Sequence, residues 1–383
     1  MTTTVQTDTP APAGTDAATG TQASETDPTA ELPTALAART TPTALWNDSA
    51  EIGELTRSIS WGAVGATCNP VIALAAINAD KPRWTARLRE LAAENPTAGE
   101  SALGWMVVEE LSVEAAKLLE PAFEASGGRN GRLSMQTDPR FHRDAEALAD
   151  QAEYFSGLAE NIIVKVPATQ VGIKAIEEAA YRGVTMNVTV SFTVPQAVEA
   201  GEAIERGLKR REAEGKPVEN SGHVVTIMCG RLDDWMKECY KREGHVFDPG
   251  YLEWAGVAAF KKAYGIFKER GLRSRLLSAA YRNGLQWTEF VGGDVVLSPP
   301  FAWQQKFQAS GVDPTPRMDI PVDQTIIDTL YEKIPDFRKA YDVDGMTPAQ
   351  FDDFGATRKT LRQFLQADAD LDALVRDILV PAP

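Results

Sequence analysis

The sequence predicts an α/β protein: a single (β/α)8 TIM barrel with extra C-terminal helices and a disordered N-terminal tail. Two observations carry that expectation. From Leu45 onward, short apolar runs alternate with longer amphipathic stretches, and eight such runs fit within roughly 300 residues, the count this barrel needs. No Gly-rich phosphate loop follows the first run, which weighs against the main competitor, a doubly wound open sheet binding a dinucleotide.

In chain order, the expected strands begin with "ALWND" (44–48), "GAVGATCNP" (62–70), "RLSMQTD" (132–138) and "NIIVKVP" (161–167). They continue with "VTMNVTV" (184–190), "HVVTIMCG" (223–230), "SRLLSAA" (274–280) and "DVVLSP" (294–299). Among the stretches between them are "KPRWTARLRELAAEN", "VGIKAIEEAAYRG", "TVPQAVEAGEAIERGLKRR" and "VAAFKKAYGIFKERG". Their apolar residues recur three and four apart, and several end at glycine, a helix stop signal. The segment from Thr347 to Leu379 reads as helical and is expected to pack on the outside of the barrel. No internal repeat is visible.

Residues 1–43 differ from the rest, so the chain divides into a tail (1–43) and a barrel with its helical extension (44–383). The tail is Thr, Ala, Pro, Gly and acid, with Val5, Leu32 and Leu36 as its only large aliphatics. Such a segment buries too little apolar surface to offset its ordering entropy. A short helix over Thr29 to Arg39 is the exception the spacing allows.

The net charge of −15 excludes the basic face that nucleic acid or an anionic membrane demands. No apolar run reaches membrane-span length, and no signal-peptide pattern opens the chain. Cys68, Cys229 and Cys239 have neither disulfide-framework nor zinc-ribbon spacing. His142, His223 and His245 are scattered and show no metal-ligand pattern. A cytoplasmic protein, monomer or homodimer, is expected.

Candidate chemistry starts at Lys165. In "IIVKVP", Ile163, Lys165 and Pro167 share one face, and the aliphatic Ile162, Val164 and Val166 share the other. The aliphatic set suits the helix-facing side, so Lys165 points into the barrel. An unpaired ammonium there is costly, and the group tends towards the neutral amine, a nucleophile suited to Schiff-base formation. A lysine snorkelling to solvent from the strand end is the plain alternative. The neighbours favour a functional lumen: Asp48, Asn69, Gln136, Asn187, Thr189 and Thr226 all fall within or at the ends of predicted strands. Active sites of such barrels gather at the C-terminal strand ends.

The motifs "LWND", "GATCNP", "NIIVKVPAT", "GIKAIEEAAYRGVTMNVTVSF", "MCGRLDDW", "DPG" and "LLSAAYRNG" resemble the transaldolase family over about residues 42–370. The resemblance implies a (β/α)8 aldolase that forms a lysine Schiff base and needs no cofactor. It implies Lys165 as the imine-forming lysine and Asp48 as the carboxylate exchanging a proton with the substrate hydroxyl. It further implies Asn69 and Asn187 as hydroxyl-binding residues, Thr189 as the holder of a catalytic water, and Arg231 and Arg282 as the grip on a substrate phosphate. Thr226 joins the substrate-binding set. Three positions depart from the family pattern. Gln136 stands where transaldolases carry a water-activating glutamate, as in the fructose-6-phosphate aldolase subgroup; Ala280 replaces a phosphate-binding serine; Met228 replaces an aromatic residue. The expected function is transfer of a dihydroxyacetone unit between sugar phosphates. A fructose-6-phosphate aldolase-like lyase is the first alternative, and a catalytically silent sugar-phosphate binder the second.

Overall fold

The computed structural model describes residues 32–218 and 222–382. Eight parallel strands close into one barrel in sequence order. They are β1 (Ala44–Asn47), β2 (Ala63–Cys68), β3 (Arg132–Gln136), β4 (Ile162–Pro167), β5 (Met186–Thr189), β6 (Val224–Ile227), β7 (Arg275–Ala279) and β8 (Val296–Ser298). Each lies within a predicted run.

Period-2 alternation separates two cores. Ile162, Val164 and Val166 join the large apolar layer between barrel and helices. Ile163 instead joins a small inner cluster with Ala44, Trp46, Val224, Leu277, Ala279 and Val296, which fills the barrel below the site. Trp46 fits because β2 carries glycine opposite it: a Cβ on Gly65 would lie 2.4 Å from the indole. The helices begin and end where their caps dictate. Thr169 Oγ1 accepts from Gly172 N to start Gln170–Arg182, and Gly183, at φ 99°, ends it in a left-handed turn that glycine adopts without strain.

Two expectations change. The predicted tail, 1–43, is too long on its described side: residues 1–31 lie outside the described residues, but Pro33–Thr40 is a helix docked on the barrel. Thr34 Oγ1 donates to the carbonyl of Trp61 at 3.1 Å and accepts from Gln308 Nε2, while Thr43 Oγ1 donates to Gly293 O at 2.8 Å. Composition misses this because the contact is made by small residues at close range, with the Cα of Ala35 3.1 Å from where a Cβ on Gly62 would sit. The second change concerns the C-terminal helix, Gly355–Leu379. It packs on the outer helical layer as expected, on Pro70–Ala79 and Glu100–Ala125, both between β2 and β3, and on Cys229–Glu243 after β6, but it also reaches the mouth at the C-terminal strand ends, where Phe364 lines the cavity.

Candidate functional site

A cavity of about 180 Å³ opens at that mouth. Asp48, Asn69, Lys165, Asn187, Thr189, Thr226, Arg231 and Arg282 all line it. Of the predicted site residues, only Gln136 does not. Its Cα pairs with Lys165 across β3 and β4, yet its side chain is buried and Oε1 has no hydrogen-bond partner among the described residues.

Lys165 is 6% exposed, and no described side chain hydrogen-bonds or ion-pairs its ammonium. Burial pushes its pKa below the usual lysine value, and the Arg231 guanidinium pushes the same way, whereas Asp48 and Cys68 oppose. Desolvation is the largest of these effects, so the amine is held closer to its nucleophilic form than a surface lysine.

The remaining side chains are fixed by their strand ends. Asp48 follows β1, and Thr67 Oγ1 donates to its Oδ1 at 2.6 Å, aiming the carboxylate over the cavity. Asn69 caps the next helix, accepting from Ile72 N at 3.0 Å, which leaves its amide N–H group free to donate. Asn187 is clamped across the lumen: Nδ2 donates to Ser134 Oγ at 2.8 Å, and Oδ1 accepts from Thr226 Oγ1 at 2.9 Å. Thr189 faces the cavity, and its hydroxyl bonds to no other described residue.

The two arginines differ. Arg282 is exposed and paired with Asp234, Nε to Oδ2 at 2.8 Å. The arginine–acid pairing that a plain surface role requires thus exists for Arg282. Asp233, the other nearby acid, is buried and accepts from Gly256 N and Gln286 Nε2 instead. Arg231 has no carboxylate partner among the described residues, and burial, then repulsion from Arg282, lowers its pKa. Between them runs a strained backbone. Ala280 sits at φ 62°, and its carbonyl would lie 1.9 Å from a Cβ on Gly230, so glycine is required there. Val190, at the end of β5, is also left-handed at φ 49°; for a β-branched residue this costs of order 1–3 kcal/mol.

Sequence reasoning missed Thr67, Ser298 and Phe364, all of which line the cavity. Thr67 was legible, two residues before Asn69 on the same strand face. Phe364, from the C-terminal helix, had no local signal. Met228 and Ala280, the departures from the family pattern, do line the cavity. Cys68 is a packed thiol, pushed up to about 11 by burial. His223 serves the opposite end of β5, accepting from Met186 N at 2.9 Å, and burial drives its pKa down to about 3. Among the described residues no cluster of His, Cys, Asp or Glu could hold a metal, and no helix is long and apolar enough to cross a membrane.

A buried lysine at the end of the fourth strand, a carboxylate on the first and a polar wall between are a barrel's provision for carbonyl chemistry. Comparison with known proteins agrees: the family model described as Transaldolase/Fructose-6-phosphate aldolase matches residues 45–353. The chain belongs to the transaldolase/fructose-6-phosphate aldolase family. Among curated relatives, it is 31% identical over 208 residues to "Transaldolase 1" of Streptomyces avermitilis, covering 54% of each chain. It is 30% identical over 240 residues to "Transaldolase 1" of Streptomyces coelicolor, covering 62% of each, and 33% identical over 177 residues to "Transaldolase" of Thiobacillus denitrificans, covering 45% of this chain and 48% of the relative. The aligned region thus spans between 48% and 62% of these relatives' lengths.

Proposed function

We propose that this member of the family is a transaldolase-type transferase acting on sugar phosphates through a Schiff base on Lys165. The observation that carries the reading is the buried amine of Lys165, with no ion pair to a described residue, in one cavity with Asp48 and with Arg231 and Arg282 on its wall. Lys165 Nζ attacks the ketose carbonyl, and loss of water gives an iminium that acts as an electron sink. Asp48, held by Thr67, accepts the proton of the substrate hydroxyl as the adjacent carbon–carbon bond breaks. The enamine left on Lys165 adds to an acceptor aldehyde, and hydrolysis then frees the product. Asn69, Asn187 and Thr226 bind hydroxyls of the bound sugar, and Thr189 orients the water that enters and leaves during imine exchange. Arg231 and Arg282 hold the phosphate, a planar fork suiting its oxygens.

One observation favours the lyase alternative. Gln136, neutral and with an unsatisfied Oε1, can orient a water but cannot take its proton. In that case the enamine is protonated and free dihydroxyacetone is released.

The test is borohydride reduction during incubation with fructose 6-phosphate and other phosphorylated ketoses, read by peptide mass. One substrate-derived fragment on the Lys165 peptide is expected. A label on another lysine defeats the assignment to Lys165, and no label with any ketose leaves a non-covalent binder. Adding a phosphorylated aldose separates transfer from release of dihydroxyacetone.

A further inference from the structure

The C-terminal helix enters the site at two of its own turns. Among the described residues Arg231 makes one side-chain hydrogen bond, Nη1 to Thr360 Oγ1 at 3.0 Å, and its guanidinium lies 5.7 Å from the centroid of the Phe364 ring. Thr360 and Phe364 are four residues apart and therefore on one helix face, and both are buried. Four residues further on, Asp368 anchors the same face, accepting from Trp105 Nε1 at 3.1 Å and pairing with Arg140 at 3.1 Å.

The two residues contact Arg231 from opposite sides. Phe364 lines the catalytic cavity. Thr360 lines a second cavity of about 330 Å³ between the helix Cys229–Glu243 and the C-terminal helix, with Trp235, Glu238 and Lys359. Arg231 and Arg282 line both cavities and so form the partition between them.

The chemistry of this support differs from that of Arg282. Asp234 orients Arg282 but also neutralises it. A hydroxyl orients without neutralising: it offers Arg231 one acceptor and no charge, while burial leaves the guanidinium poorly solvated. A half-buried cation fixed in place, with no carboxylate bonded to it among the described residues, is prepared for an anion arriving from the cavity.

We propose that Thr360 is a positioning residue for the anionic end of the substrate: it holds the Arg231 guanidinium in the partition without bonding a carboxylate to it, with Phe364 packing the inner side. This rests on the reading of Arg231 as a phosphate-binding residue.

The experiment measures the half-saturating ketose concentration for borohydride labelling of Lys165, together with steady-state KM and kcat. Fructose 6-phosphate is compared with fructose. Thr360→Val should raise the half-saturating fructose 6-phosphate concentration and KM by roughly 10- to 150-fold, in line with loss of a hydrogen bond to a charged group, and leave kcat and the fructose value within about twofold. Thr360→Ser should restore the wild-type values. If Thr360→Val does not fold, Thr360→Ala, which removes the hydroxyl with less bulk, is read the same way. Unchanged KM, equal change for both sugars, or a fall in kcat alone would overturn the proposal. Arg231→Ala separates the two ideas: if it too treats both sugars alike, the phosphate-binding reading of Arg231 has failed, whereas selectivity lost in Arg231→Ala but kept in Thr360→Val condemns the positioning role alone.

Discussion

Gln136→Glu tests whether the lumen is arranged as the register implies. Gln136 and Lys165 are Cα partners on adjacent parallel strands, and Gln136 Oε1 is buried without a partner. Strands lie about 4.8 Å apart, so a carboxylate at this position comes within roughly 6 Å of the lysine side chain. At an effective dielectric of about 20, opposite charges at that separation attract by about 2.8 kcal/mol, equivalent to about 2 pKa units. Desolvating the new carboxylate offsets part of this, so the lysine pKa should rise by about 1 unit. The sign follows directly: a higher lysine pKa leaves less neutral amine at neutral pH, so the pH profile of imine trapping should move to the alkaline side. The new carboxylate can also serve as a base for the exchanging water, which raises turnover wherever water-mediated proton transfer is limiting. The assay is single-turnover borohydride trapping with fructose 6-phosphate across pH 6 to 10, paired with acceptor-dependent transfer and free dihydroxyacetone in the steady state. For a transferase weakened by its glutamine, transfer rises severalfold in the variant. For a site tuned to cleavage, the wild type releases dihydroxyacetone readily and the variant loses that activity. A trapping profile that stays where it was, with product partition unchanged, would refute the arrangement itself, because it would mean that the two side chains do not share one electrostatic environment.

Asp48→Asn should leave trapping on Lys165 largely intact and cut carbon–carbon cleavage by roughly 10²–10⁴-fold, measured as product formation per trapped imine; unchanged cleavage in a folded variant moves the proton transfer elsewhere. Removing residues 1–31 should not change the melting temperature, since their composition offers little apolar surface. Removing 1–41 deletes the docked helix with both hydrogen bonds of the Thr34 hydroxyl and buried Ala37, about 2–3 kcal/mol, and should lower Tm by roughly 3–4 °C in calorimetry. Asp368 has its pKa raised from 3.8 to about 6, first by burial and then by Asp138, against the pull of Arg140. A folded pKa above the unfolded one stabilises at low pH and loses that contribution as pH rises through about 6. Wild type should therefore gain stability over Asp368→Asn as pH falls from 7 to 4, a difference that thermal melts at several pH values will read directly.

The parts of this protein legible in its sequence are those governed by a short period. Alternation in β4 separated Ile163 and Lys165 from Ile162, Val164 and Val166, and the structure puts those sets in different cores. The same rule would have added Thr67, on the face of Asn69. Cap chemistry, such as Gly183 after Arg182, marked helix ends for the same reason: the cause lies within a few residues of the effect. What escaped was set by contacts between distant segments. The N-terminal helix docks through Thr34, Ala35 and Ala37, which composition counts as poor core formers, because close backbone approach to Gly62 substitutes for side-chain bulk. The C-terminal helix advertised a buried face but not its destination, since periodicity gives the direction of a side chain and never the identity of its neighbour. Arg231 and Thr360 are separated by 129 residues, and nothing local to either distinguishes this arginine from the one 51 positions on that pairs with Asp234. Their difference in solvation and counterion is nonetheless what decides how each can meet a substrate anion. A residue's type is therefore legible in the sequence, but the electrostatic state that makes it useful belongs to the tertiary contacts.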